Sequence, residues 1–113
     1  MLWEQSIGGT NFDVPRSIKP SLGGGFLIAG SSRSSDGSVS QNQGQNDAWI
    51  VQIDDDGLLI WEKTFGGTEI DFGYDAVTLS DGSIILVGES SSNNGDLPEN
   101  KGFTDLLIVK INP

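Results

Sequence analysis

Sixteen acidic residues against six basic ones give this chain a net charge of −10, so carboxylates are its most abundant charged groups. The densest cluster is "DDDG", Asp54 to Gly57, which invites comparison with a calcium-binding EF-hand loop. With Gly57 at the sixth position of that loop, Gln52 would be the first ligand and Lys63 the twelfth, where a bidentate glutamate is needed. Neither can serve, and the stretch reads as a tight turn.

Two further stretches, "GGTNFD" and "GGTEID", share the opening of a calcium-binding nonapeptide, G-G-x-G-x-D. Asn11 and Glu69 replace the third glycine, and the copies lie far more than nine residues apart, which excludes a parallel β-roll. Asp13 and Asp71 are then expected to accept hydrogen bonds from nearby backbone amides. The polar stretches 34–47 and 92–105 hold the remaining candidate oxygens for a weak calcium site: Asp36, Asp47, Asn94, Asp96 and Asp105. Asn42 and Gly44, matched by Asn100 and Gly102, shape either such a cation site or a self-bonded turn.

The chain contains neither histidine nor cysteine. Ser-His-Asp and Cys-His nucleophilic centres are therefore excluded, zinc lacks its usual ligands, and no disulfide can form. Paired carboxylates abound, but nothing marks one as acid and another as base, so no catalytic residue is assigned. The acidic balance disfavours nucleic acid as a partner. No apolar run is long enough to span a membrane, and the start of the chain does not read as a signal peptide.

These groups must be positioned by something, and the sequence repeats itself. Placing Trp3 on Trp61 and continuing without a gap aligns Gly8 and Gly9 with Gly66 and Gly67, Asp13 with Asp71, Gly30 with Gly88, Asp47 with Asp105, and "IVQI" with "IVKI". About a third of the aligned pairs are identical, and one fixed offset held to the end is the mark of a repeat architecture. The repeats are 1–58 and 59–113. Each reads as four short strands: "LWEQSI" or "LIWEKTF", "RSIK" or "YDAVTL", "GFLIAG" or "SIILVG", and "AWIVQI" or "LLIVKI". "LGGG", "SDGS" and "DDDG" supply the glycines that tight hairpins require.

"FLIA" and "IILV" are apolar at every position, so both faces of that strand need cover. A sheet stacked between two neighbours meets this need. The expected fold is all-β, a β-propeller with two four-stranded antiparallel blades per chain; a sandwich of two four-stranded sheets is the alternative. Trp3, Trp49 and Trp61 are read as core residues, with stacking on sugar rings as the other use of such side chains. Gly30 and Gly88 are expected where the chain needs close packing or positive φ.

The pattern W-x-(K/Q)-(S/T)-x-GG-T-x-x-D, followed by a glycine-bounded apolar strand, S-x-(D/N)-G and a strand ending I-V-x-I-(D/N), resembles the blade repeat of surface and secreted proteins of Bacteroidetes-type bacteria. Pro15 and Pro20, around "RSIK", depart from it. The resemblance implies a propeller at the cell surface or otherwise outside the cytoplasm, and it implies no particular activity. In it the Trp strand forms the outer edge of the preceding blade. Residues 1–7 are then expected to complete the last blade of a neighbouring subunit, closing a ring through strand exchange, with three chains and six blades as the favoured homo-oligomer, or through further repeats. The leading expectation is a non-enzymatic binding or display scaffold with a glycan or protein ligand and no cofactor beyond possible calcium. A lectin-like propeller with sites at blade loops, and a hydrolase fragment, are the other readings.

Overall fold

A computed structural model of the protein describes residues 1–97 and 102–113. The described residues form seven strands and no helix: β1 (Asp13–Pro20), β2 (Phe26–Ser32), β3 (Asp47–Ile53), β4 (Leu59–Phe65), β5 (Asp71–Thr78), β6 (Ile84–Ser90) and β7 (Asp105–Ile111). They make two antiparallel sheets, one of four strands in the order β1-β2-β3-β4 and one of three in the order β5-β6-β7. The all-β fold expected from the sequence is present.

The turns form where glycine permits them. Gly57 and Gly82 take φ of 83° and 87°, a region that L side chains avoid. The Asp54 carboxylate accepts the Asp56 and Leu58 amides at 2.8 and 2.9 Å, closing the β3–β4 hairpin. "DDDG" is therefore a turn held by its own first aspartate.

β4, which begins the second sequence repeat, pairs with β3 of the first, from Ala48 opposite Phe65 to Ile53 opposite Leu59. The Trp strand thus closes the preceding sheet, as the resemblance implied. Its equivalent, residues 1–7, forms no strand; the place beside β3 is taken by β4. The expectation of two four-stranded sheets is corrected accordingly: the second sheet has three strands.

β1 and β5 start at Asp13 and Asp71, three residues before "RSIK" and "YDAVTL". Each carries a bulge, with the register shifting between Pro15 and Ser17 and again between Gly73 and Asp75. The bulge tolerates Pro15, whose missing N–H would break a regular ladder. Opposite the bulges stand Gly30 and Gly88. A Cβ on Gly30 would overlap the Val14 carbonyl, and one on Gly88 the Phe72 carbonyl. Close backbone approach, not positive φ, is the reason for both glycines.

The sheets pack face to face. Leu27, Ala29, Ala48 and Ile50 of the first sheet meet Ala76, Ile84, Leu86, Leu107 and Ile111 of the second, with Trp61 and Phe65 at the border. The opposite face of the first sheet carries a second cluster, Val39, Trp49, Val51 and Ile53, flanked by Phe26, Ile28 and Ile7. All seven residues of β3 are buried.

Candidate functional site

The polar side chains converge at one end of the sheets, where each "GGT-x-x-D" segment is clamped against the loop that follows the third strand of its repeat. Asp13 accepts the Gly9 amide at 2.9 Å and the Ser32 and Ser34 hydroxyls at 2.5 and 3.0 Å. Asp71 accepts the Gly67 amide at 3.0 Å, the Ser92 hydroxyl at 2.9 Å and the Ser90 hydroxyl. Ser34 and Ser92 pass the chain on by accepting the Asn11 and Glu69 amides, each at 3.1 Å. The clamp is the same structure made twice.

Asp36 and Asn94 hold the tip of each clamp. Asp36 accepts the Thr10 amide at 2.9 Å and its hydroxyl at 2.8 Å; Asn94 accepts the Thr68 amide at 2.9 Å. The Thr10 donors hold the Asp36 carboxyl below its ordinary range, the backbone amide contributing most. Asn42 accepts the Gly44 amide at 2.9 Å and donates to the Ser32 and Gln45 carbonyls at 2.9 and 3.3 Å, a self-bonded turn. Asn100 lies outside the described residues. Asp105 opens β7, opposite Ser90.

Three carboxylates meet around Gly66 at the junction of the two repeats. Asp47 and Asp71 are fully buried. Asp47 Oδ1 and Asp71 Oδ2 each lie 2.6 Å from the place a Gly66 Cβ would take, hence at most twice that distance apart. Asp96 accepts the Gly66 amide at 3.2 Å and the Gln43 amide side chain at 2.5 Å. Asp47 Oδ2 accepts the Gln43 amide at 2.8 Å, while Oδ1 has no hydrogen-bond partner. Burial raises the Asp47 pKa to about 6, with smaller contributions from the Asp71 and Asp96 charges and an opposing one from the Gln43 amide. Of the five candidate metal ligands, Asp47 and Asp96 come together here. Among the described residues, no group of three or more acidic side chains has the spacing to hold a metal ion.

Trp49 is 6% exposed, with its indole N–H 3.3 Å from Glu62. Trp61 packs against the core. Trp3, more exposed, donates to the Asp55 carbonyl at 3.1 Å. No two of them form an open platform for a sugar ring. An apolar cleft of about 190 Å³ lies between residues 5–7 and the first sheet, lined by Ile7, Val14, Ile28, Trp49 and Val51.

The serine pairs had not been expected from the sequence. Ser32 and Ser34 match Ser90 and Ser92 at the repeat offset, and that identity where β2 and β6 give way to polar loops was the available signal.

No family model matches the chain, so the likeness to bacterial blade repeats rests on the quoted residues alone. The chain is similar to Regulatory protein FlaEY of Caulobacter vibrioides (strain ATCC 19089 / CIP 103742 / CB 15), with 26% identity over 91 residues, 77% of this chain. That stretch is 10% of FlaEY.

Proposed function

We propose that the chain is a non-enzymatic repeat module of a β-propeller, a binding or display scaffold that presents its loops at one end of stacked sheets. The observation that carries this reading is β3, buried at every residue between two apolar clusters. The second sheet covers one face of β3, while Val39 and Ile7 lie on the other; an apolar face of that kind suits a further stacked sheet, and stacking around an axis is the β solution that supplies neighbours to every sheet. The ring closes by self-association, with three copies and six blades the favoured count, and the site of action is the cell surface or beyond, following the blade-repeat resemblance.

The loop carboxylates are engaged by amides and hydroxyls that fix backbone, which favours a structural use over acid–base chemistry. Similarity to a tenth of a much longer protein named as regulatory accords with a module that binds rather than catalyses. The test is a covalently linked chain of three tandem copies imaged by electron microscopy, together with a glycan array. A toroid of radially arranged sheets is expected. A rod or a two-layer sandwich would remove the propeller reading, and saturable binding to a defined glycan would replace the general scaffold by a lectin.

A further inference from the structure

The packing of the two sheets inside the chain is a template for packing between chains. Moving the first sheet's buried set, Leu27, Ala29, Ala48 and Ile50, forward by one repeat gives Ile85, Val87, Leu106 and Ile108. All four are apolar, none is buried, and Leu106 and Ile108 are 74% and 60% exposed. Moving the second sheet's set, Ile84, Leu86, Leu107 and Ile111, back by one repeat gives Phe26, Ile28, Trp49 and Ile53, the outer face of the first sheet. Of this second set Phe26 and Ile28 are half-buried, and Trp49 and Ile53 are buried against Val39 with Ile7 at the edge; beneath that partial cover, the two outer sheet faces are the two halves of the molecule's own internal interface.

Residues 1–7 extend this correspondence. Phe65 of β4 packs at the border of the internal interface, and its equivalent, Ile7, packs against the outer cluster of the first sheet. The segment thus lies where the outermost strand of a docked sheet would run, while Trp3 ties it to Asp55. Among the described residues β7 ends the second sheet with no strand beyond it, whereas its equivalent, β3, is paired with β4.

We propose that the partner for these faces is a second copy of this chain, docked head to tail; this rests on the propeller reading and specifies its interface. The second sheet of one copy covers the outer face of the first sheet of the next. Residues 1–7 of that next copy join β7 antiparallel, in the register that β4 takes on β3. Ala48 opposite Phe65, Ile50 opposite Lys63, Val51 opposite Glu62 and Gln52 opposite Trp61 become Leu106 opposite Ile7, Ile108 opposite Gln5, Val109 opposite Glu4 and Lys110 opposite Trp3. The Asp71 amide donates to the Asn46 carbonyl at 2.7 Å across the internal junction; between copies the Asp13 amide meets the Thr104 carbonyl. The contact is heterologous, so repetition leads to a ring when the rotation closes. With −10 on each copy, association strengthens as salt is added.

The chain has no cysteine, which makes the register directly testable. Opposed residues on antiparallel strands stand about 4.5–5.5 Å apart at Cα, within the span of a disulfide. Glu4→Cys and Val109→Cys chains are mixed and oxidised, and unmodified protein is weighed by light scattering at micromolar concentration. Expected are a mass several times 12.0 kDa, larger at higher salt, and a disulfide in the mixture that is absent when Glu4→Cys is mixed with Ile108→Cys. A monomer at all concentrations, a symmetric Val109→Cys homodimer, or preference for the Ile108→Cys pairing would overturn the docking. The tandem chain keeps the two readings apart. A toroid from linked copies beside monomeric single chains defeats only the docking, and the in-register disulfide in an open filament defeats only the propeller.

Discussion

The guanidinium carbon of Arg16 lies 5.7 Å from the centroid of the Tyr74 ring, and the two residues are the extra residues of equivalent bulges, one in each sheet. Each bulge swings its residue out of the ladder, and the two meet across the junction. Beside them the Lys19 ammonium pairs with Asp75, holding the Asp75 carboxyl below its ordinary range chiefly through that hydrogen bond. A double-mutant cycle on Arg16→Ala and Tyr74→Ala, read by urea denaturation, is expected to give a coupling of about 0.5–1 kcal/mol, as for a partly exposed cation–π pair. Additive effects would mean that the bulges do not communicate through this contact.

The glycines opposite the bulges carry a larger effect. Gly30→Val and Gly88→Val each force a carbonyl of the neighbouring strand to move, and overpacking of this kind costs about 1–3 kcal/mol. Both denaturation midpoints are expected to fall. Two unchanged midpoints would show that the bulges relax without cost.

The repeat offset equates Trp61 with Trp3 but does not say which sheet either strand joins; that β4 closes the first sheet was legible through the blade-repeat resemblance alone. The starts of β1 and β5 were not legible. A bulge breaks the alternation of inward and outward side chains, and Val14 and Pro15 resemble a loop when read without their partner Gly30. The clamp was half legible: Asp13 and Asp71 suggested amide acceptors, but the hydroxyls they engage lie about twenty residues downstream, beyond the reach of local turn chemistry. The carboxylate trio around Gly66 was invisible because it forms only when two repeats meet.

Asp47 supplies a pH signature. Its carboxyl titrates near 6 in the folded chain, against 3.8 ordinarily, so the folded state holds the proton more tightly than the unfolded one. Stability from this group is greatest below about pH 4, declines as pH rises toward 6 and is level above; the difference is about 2–3 kcal/mol. Asp47→Asn cannot ionise, and its amide can donate toward Asp71. The variant is expected to be more stable than the parent at pH 7, with the gap closing at pH 4.5 in denaturation curves. A variant less stable at pH 7 would show that Asp47 is needed as a carboxylate.

Calcium is expected to act on this protein as a screening cation. Asp36 and Asn94 are engaged by threonine donors, and Asp47 and Asp96 stand at a junction without the spacing of a metal group. Millimolar calcium and magnesium at matched ionic strength should therefore raise the melting midpoint by equal, small amounts. A calcium-specific rise abolished by chelator would restore a dedicated loop site.

The passage of β4 across the repeat boundary sets how such a chain grows. A duplication that copies 58 residues adds one strand to the sheet before it and three to the sheet it begins. Wherever the copied stretch is cut, its insertion leaves every interior sheet with four strands and returns the same outward faces at the two extremities. Copy number can thus change by unequal recombination without new contacts having to arise at either terminus. The number of stacked sheets is free to drift while the two outward faces are inherited intact.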